Sequence, residues 1–279
     1  VDRLTIKLRG KKSAGTLENY RKHLLKLESF NGSRILSFKQ ITPTFLQNYE
    51  AWLRDNINFR KEDEHKNYIH AIWKTLKTWF NAAKREGIIN YYPFYQYENP
   101  VYISPDKDYL NFEELRSFEK FCQECDDPIL KECAIYFLFG CYSGLRISDW
   151  YQFNPEKHIK SGKLRLRPGK TKNKWVEMII SKPLQRNLIR MKNMPLILKE
   201  PTINEKLKVI AEKMGIAKHL TSHTARHSFA VTICLGNKIS SETAAELMGI
   251  SLLTFIKNYS QVTQLKIDDE TKKAWKNLL

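Results

Sequence analysis

One nineteen-residue stretch, YYPFYQYENPVYISPDKDY (91–109), constrains the fold of this chain more than any other feature. Its three prolines remove backbone donors and fix φ, so a regular helix cannot run through it. It carries neither a 3.6-residue nor a 2-residue apolar period, whereas strongly periodic segments lie on both sides. It therefore reads as a linker, with a domain boundary near residue 104. The two domains expected are 1–104 and 105–279, and 279 residues suffice for a hydrophobic core in each.

The first domain reads as all helix. TLENYRKHLLKL places Leu17, Tyr20, Leu24 and Leu27 on one stripe. TPTFLQNYEAWL begins with Thr42 as N-cap and Pro43 at the first helical position. YIHAIWKTLKTWFNAAKREG sets Ile69, Ile72, Trp73, Leu76, Phe80 and Ala83 on one face, with Gly87 as its stop. Lys74, Lys77 and Lys84 fall on the other face, as solvated lysines or as a groove-contacting surface.

The second domain opens at LNFEEL, where Asn111 and Glu114 form a capping box and Leu110 and Leu115 a hydrophobic staple. AIYFLFGCY (134–142) is apolar all round, as a buried helix is. KLRLRPGKTKNKWVEMIIS (163–181) alternates Leu164 and Leu166 with basic residues, turns, and continues as WVEMII. This is a β-hairpin with Lys170, Lys172 and Lys174 at or near its tip. The fold class expected is mainly α with a small β-hairpin or sheet, in two domains.

Charge narrows the partner. The chain carries 47 Lys+Arg against 30 Asp+Glu, a net +17. Residues 1–103 hold 18 basic and 10 acidic side chains, so the excess is spread along the molecule and not gathered in a tail. A polyanion is the partner such a surface suits, nucleic acid above all. No run reaches the ~18 apolar residues of a bilayer-spanning helix, no secretory leader is visible, and no membrane partner is expected. Five cysteines without a framework spacing fit a reducing cytoplasm, and Cys122-x-x-Cys125 lacks the second pair of a zinc site.

Three groups carry chemistry: YSGLRISDW (142–150), the lysine hairpin, and TSHTARHSFA (221–230). Arg146 follows a Ser-Gly turn, and Asp149, three residues on, is placed to orient its guanidinium. Ser222 is expected to cap a helix running to about Leu235 with Gly236 as its stop; Phe229 and Ile233 then face the core, and His223 and Arg226 face elsewhere. Two arginines and a lysine converging near helix starts make a phosphate site. His223 and His227 stand one turn apart, as metal ligands do, but a zinc site needs a third ligand, and Thr224 stands where the helical zinc motif has Glu. The metal reading therefore ranks below the phosphate reading and below plain structural roles. SETAAELMGISLLTFIKNYSQV (241–262), taken alone, also reads as a helix-turn-helix with its turn at Gly249. A DNA-binding regulator is thus the rival to an enzyme, although it leaves Arg146, His223, Arg226 and the lysines unused.

In their order, SGLRISDW, a hairpin lysine, HTARHSFA, a glycine-centred turn and Tyr259 nine residues past Ile250 resemble the tyrosine recombinases, the phage-integrase family. The resemblance implies a helical SAM-like core-binding domain that clamps DNA, followed by a mixed α/β catalytic domain. It makes Arg146 and Arg226 the clamps on the scissile phosphate, His223 the proton-handling group, and Lys170 the general acid, with Lys172 its competitor. It makes Tyr259 the nucleophile, a choice among thirteen tyrosines that rests on the family alone. Asp149 and His227 take supporting roles, and Lys74, Lys77, Lys84, Lys172 and Lys174 contact DNA. The implied activity is site-specific DNA cleavage and rejoining, as in bacterial mobile-element integrases, without metal, ATP or other cofactor. A type IB topoisomerase shares a similar residue set. The implied partners are double-stranded DNA attachment sites, further copies of the chain in a tetrameric synapse, and DNA-bending accessory proteins; the implied location is the bacterial nucleoid.

One position departs from the pattern: the family has His or Trp before the nucleophile helix, and here Ile250 supplies no donor. Three readings follow: a substitute donor such as Ser251 or Lys257, a slower enzyme, or a position that was altered; an active enzyme with reduced activity is expected. Ala274, Trp275 and Leu278 form a stripe on a tail helix that packs either on its own domain or, as the family implies, on a neighbouring protomer.

Overall fold

The computed structural model describes residues 12–33, 35–58, 62–103, 107–169, 174–192, 194–259, 271–272 and 275–276. Backbone contacts divide the chain into Val1–Asp106 and Lys107–Leu279.

In the first unit α1 (Ala14–Asn31) is capped by the Ser13 hydroxyl and ends at Gly32, whose φ of 67° suits glycine. Thr42 caps α2 (Pro43–Asn56), accepting from the Phe45 amide. The longest helix, α3 (Glu62–Arg85), has three acidic residues in its first turn and two basic ones in its last, matching the helix dipole. Ile69, Ile72, Trp73, Leu76, Phe80 and Ala83 are all buried, and all but Ala83 share one core with Leu27, Leu46, Tyr49 and Leu53.

The Pro/Tyr-rich stretch departs from its linker reading. Phe94 and Tyr97 are buried in the first core. The Tyr97 ring meets Trp73 edge-on; its hydroxyl accepts from the Trp73 indole at 3.2 Å and donates to Glu50. Further on, Asn67 exchanges two hydrogen bonds with the backbone of Ile103, at 2.7 and 2.9 Å. The prolines keep a regular α-helix out of the stretch, but the aromatic rings carry enough apolar area to be drawn onto α3. Residues 91–103 are a strap on the first unit.

The second unit begins with α4 (Phe112–Glu124), whose Asn111–Glu114 capping box closes in both directions at 2.8 and 2.7 Å. Leu110 and Leu115 are both buried, as a staple requires. Next, α5 (Pro128–Ser143) is buried along every face from Cys133 onward and forms the axis of the core. Gly140 lets the following helix approach, since a Cβ there would lie 2.2 Å from the Trp150 ring. Gly144 turns the chain with φ 64° into α6 (Ile147–Gln152), and α7 (Pro155–His158) leads to the sheet.

That sheet has three antiparallel strands among the described residues, in the order β1 (Ile159–Lys160), β2 (Lys163–Leu166), β3 (Val176–Ile179). β1 extends the expected hairpin and is too short to show a period. Leu164 faces Met178 and Leu166 faces Val176; all four are buried, and Lys163, Arg165 and Glu177 alternate with them outward. The hairpin tip, with Lys170 and Lys172, lies outside the described residues.

The remaining helices are α8 (Lys182–Met191), α9 (Glu200–Lys213), α10 (Ser222–Ser228), α11 (Ser241–Leu247) and α12 (Leu252–Tyr259). The expected cap of α10 is displaced by one residue. Thr221 accepts from the Thr224 amide, whereas the Ser222 hydroxyl donates to Glu200. After Ser228 the chain widens into a π turn (Phe229–Cys234) and a short 3₁₀ turn (Leu235–Asn237), in place of the regular helix expected to Leu235. The widened turn lays Phe229 over Gly144, where a Cβ would come within 2.3 Å of the ring. α11 and α12, joined through Gly249 at φ 61°, send Ala245, Met248, Ile250 and Phe255 into the same core as α5. Their inner faces thus close this unit's core, while Leu253 and Ile256 on α12 stay exposed. In the tail, Trp275 is exposed, while Ala274 and Leu278 lie outside the described residues. No described helix is long and apolar enough to cross a membrane.

Candidate active site

Arg146 is the N-cap of α6, immediately after the Gly144 turn. Asp149 lies three residues on, fully buried, but does not orient the guanidinium. Its carboxylate accepts from the Arg146 amide (3.2 Å), the Gln152 side chain (3.0 Å) and the Gly169 amide (3.1 Å). Backbone N–H groups claim the carboxylate because each would otherwise be buried without a partner. Asp149 thereby joins the backbone under Arg146 to the segment leading to the lysine tip. The guanidinium is left with a buried Nη1 that has no hydrogen-bond partner.

Arg226 corrects the expectation that it faces away from the core: it is only 3% exposed. Its guanidinium donates to the carbonyl of Gly144 and, at 2.8 Å, to that of Met248. It thus ties the Gly144 turn to the end of α11. Burial lowers its pKa, and the nearby Arg146 cation lowers it further. The Tyr259 phenol, close enough to hydrogen-bond it, and the Asp149 carboxylate act in the opposite sense. Two cations held near each other in a desolvated place, one with an N–H unspent, make a site for an anion.

Tyr259 ends α12 beside this pair. Its ring packs on Phe255 at 5.2 Å and on His227 at 5.0 Å between centroids. The imidazole against the candidate nucleophile is therefore His227, while His223 is exposed, 6.3 Å from His227 between ring centroids. Burial, with Lys107, His223 and Arg226 around it, holds the pKa of His227 down to about 4. No group of three or more metal-ligating side chains occurs among the described residues.

The low value has a consequence for stability. An unfolded histidine titrates near 6.5, so between pH 6.5 and 4 the unfolded chain binds the proton that the folded chain refuses. The contribution of His227 is complete above pH 6.5 and is lost as the pH falls toward 4. Acidification from pH 7.5 to 4.5 should cost the wild type about 1–2 kcal/mol more than His227→Gln, a figure reduced for the ring's partial exposure. Urea midpoints of the two proteins at both pH values measure it, and equal losses would assign the acid sensitivity elsewhere.

Ile250 is buried. Of the two substitutes expected from the sequence, the Ser251 hydroxyl is engaged with Thr254 at 2.8 Å, and Lys257 is exposed. The cation beside Ile250 is Lys174, which donates to Glu246 at 2.9 Å and to the Ile250 carbonyl at 3.4 Å. In the first unit Lys74 and Lys84 are exposed, whereas Lys77 is half-buried with its ammonium 5.2 Å from the centre of the Phe94 ring. Burial lowers its pKa.

Two features had no signature in the sequence. Lys107, the residue that opens the second unit, reaches Asn258 and the Tyr259 ring. Trp175, half-exposed at the base of β3, is covered by the guanidiniums of Arg165 and Arg167 at 4.6 and 5.7 Å.

Comparison with known proteins agrees with this architecture. Residues 2–99 match the phage integrase SAM-like domain. Over 236 residues the chain is 25% identical to the tyrosine recombinase XerD of Listeria innocua, covering 76% of this chain and 77% of that protein. A lambda integrase dimer bound to a COC′ core site superposes with a TM-score of 0.73 at 17% identity, over 94% of this chain and 95% of that one. The Tn1549 transposon integrase in complex with transposon right end DNA gives 0.69 at 16% identity, over 96% of each. The fold is that of the integrases. The SAM-like match lies in the first unit, and the similarity to XerD, a tyrosine recombinase, covers about three quarters of the chain.

Proposed function

We propose that this protein cuts and rejoins DNA at specific sites through a covalent 3′-phosphotyrosine on Tyr259, needing neither metal nor ATP. The observation that carries the reading is the buried Arg226 guanidinium, which interacts with both Tyr259 and the half-buried Arg146, whose Nη1 is unpartnered. A phosphodiester oxygen between them would take that N–H and share both charges. Negative charge grows on those oxygens as the phenol oxygen attacks phosphorus, so the pair stabilises the transition state more than the bound substrate. The Tyr259 oxygen forms the new bond to phosphorus, the 5′ oxygen leaves, and the phenol proton passes to a nearby base, the role assigned to His223. The leaving oxygen takes a proton from the hairpin lysine, Lys170 in preference to Lys172. Because the phosphotyrosine keeps the ester's bond energy, attack by a 5′ hydroxyl rejoins a strand and restores the enzyme.

The first unit would clamp the duplex with Lys74 and Lys84, while Lys77 serves mainly its Phe94 contact. Lys172 and Lys174 would follow the phosphates near the cut. The active form is an oligomer on paired attachment sites, a tetramer by analogy with the family, assisted by DNA-bending proteins. Ile250 costs one donor at the phosphate and lowers the rate, in part offset by the Lys174 cation near its carbonyl.

The test is a duplex carrying the attachment site, nicked next to the cleavage position so that the cut is trapped. The wild type should leave a denaturant-resistant protein–DNA adduct, and Tyr259→Phe should leave none while binding the duplex equally. Specific binding without an adduct from the wild type would favour a regulator instead.

A further inference from the structure

Lys107 stands where no motif places a functional residue, yet its side chain lies on the element that ends in Tyr259. Its ammonium donates to Asn258 Oδ1 at 2.7 Å and sits 5.9 Å from the centre of the Tyr259 ring. The Asn258 amide in turn donates to the Thr254 carbonyl at 2.7 Å, so the contact locks the last turn of α12. The backbone behind Lys107 is itself stitched to the second unit. Asp108 accepts from the His219 amide at 2.9 Å, the Tyr109 carbonyl accepts from Lys218 at 2.9 Å, and the Leu110 amide donates to Ser228 at 2.8 Å. Lys107 forms no ion pair with a carboxylate of the described residues, and desolvation lowers its pKa. A lysine held partly out of water without a counter-charge loses hydration, and here the Asn258 hydrogen bond and the Tyr259 ring face are what it gains in return.

We propose that Lys107 is a positioning residue for the strand-transfer reaction: by holding Asn258 and covering the Tyr259 ring, it aims the phenol at the phosphate between Arg146 and Arg226. The ring is then bracketed by Lys107, His227 and Phe255, which leaves its hydroxyl directed toward the arginines. The inference rests on the nucleophile reading of Tyr259.

The experiment compares wild type, Lys107→Met, Lys107→Arg, Asn258→Ala and the Met/Ala double variant on the nicked duplex, at saturating protein. Lys107→Met should slow adduct formation about 10–100-fold, the usual cost of a misplaced reacting group, with affinity for the duplex unchanged. Lys107→Arg should restore most of the rate. The double variant should be no slower than the slower single one, since both residues act through one contact. A wild-type rate in Lys107→Met would overturn the proposal. So would a loss of affinity with a salt slope smaller by about one, the mark of a plain phosphate contact. Hydrogen exchange of the free protein separates this inference from the nucleophile reading. Lys107→Met should speed exchange at the end of α12 whether or not the wild type forms an adduct, and unchanged exchange would sink the positioning role.

Discussion

Arg226→Lys should reduce the rate of adduct formation by about 10²–10³, the typical loss for one preorganised donor at a developing charge, and should destabilise the second unit as well. The substitution keeps the cation, so any loss belongs to geometry. In the wild type one planar guanidinium serves the carbonyls of Gly144 and Met248 and still faces Tyr259. A lysine ammonium is a single point at the end of a flexible stem and cannot sit on both carbonyls while meeting a phosphate. One buried carbonyl loses its partner, at a cost of about 1–3 kcal/mol. Single-turnover cleavage gives the first number, and urea unfolding followed in the second unit gives the second. A variant that loses activity with full stability would mean that Arg226 is not the tie between the Gly144 turn and α11.

Arg146→Ala should lose activity by a similar factor of about 10²–10³ and yet be no less stable than the wild type. Arg146 Nη1 is buried without a partner, and its charge already bears on Arg226. Truncation removes an unsatisfied donor and a like-charge neighbour, so stability should hold or rise by about 1 kcal/mol. The capping contact survives, because Asp149 accepts from the backbone amide of residue 146 and not from its side chain. The same cleavage and unfolding measurements apply. Clear destabilisation by Arg146→Ala would show that its guanidinium is spent on structure and is not free for an anion. Two arginines serving one phosphate are thus expected to differ in what they do for the fold.

Much of this molecule was legible in its sequence, for reasons of range. The Asn111–Glu114 box, the Thr42–Pro43 start and the alternation of Leu164 and Leu166 are contacts or periods within a few residues, and local geometry decides them. The cap of α10 was misplaced by one residue because Thr221 and Ser222 are both hydroxyls. The choice fell to distant groups: Asn204 binds the Ser222 amide at 2.8 Å, and Glu200 takes its hydroxyl. Residues 91–103 read as a linker because prolines speak against helix but say nothing about where aromatic rings will pack. β1 has no signature in the sequence because two residues hold no period.

The amino-acid sequence alone determined the order of the elements, the caps that start the helices, the basic character, and the set of residue types that a phosphate-transferring site requires. Only the tertiary structure decided that Arg226 is buried against a carbonyl 82 residues away, that Asp149 serves backbone amides, and that His227 and Lys107 lie against Tyr259. A pattern written in neighbouring residues can specify a helix. It cannot show which cation will be taken out of water, because desolvation depends on every segment that packs around the group once the chain has folded.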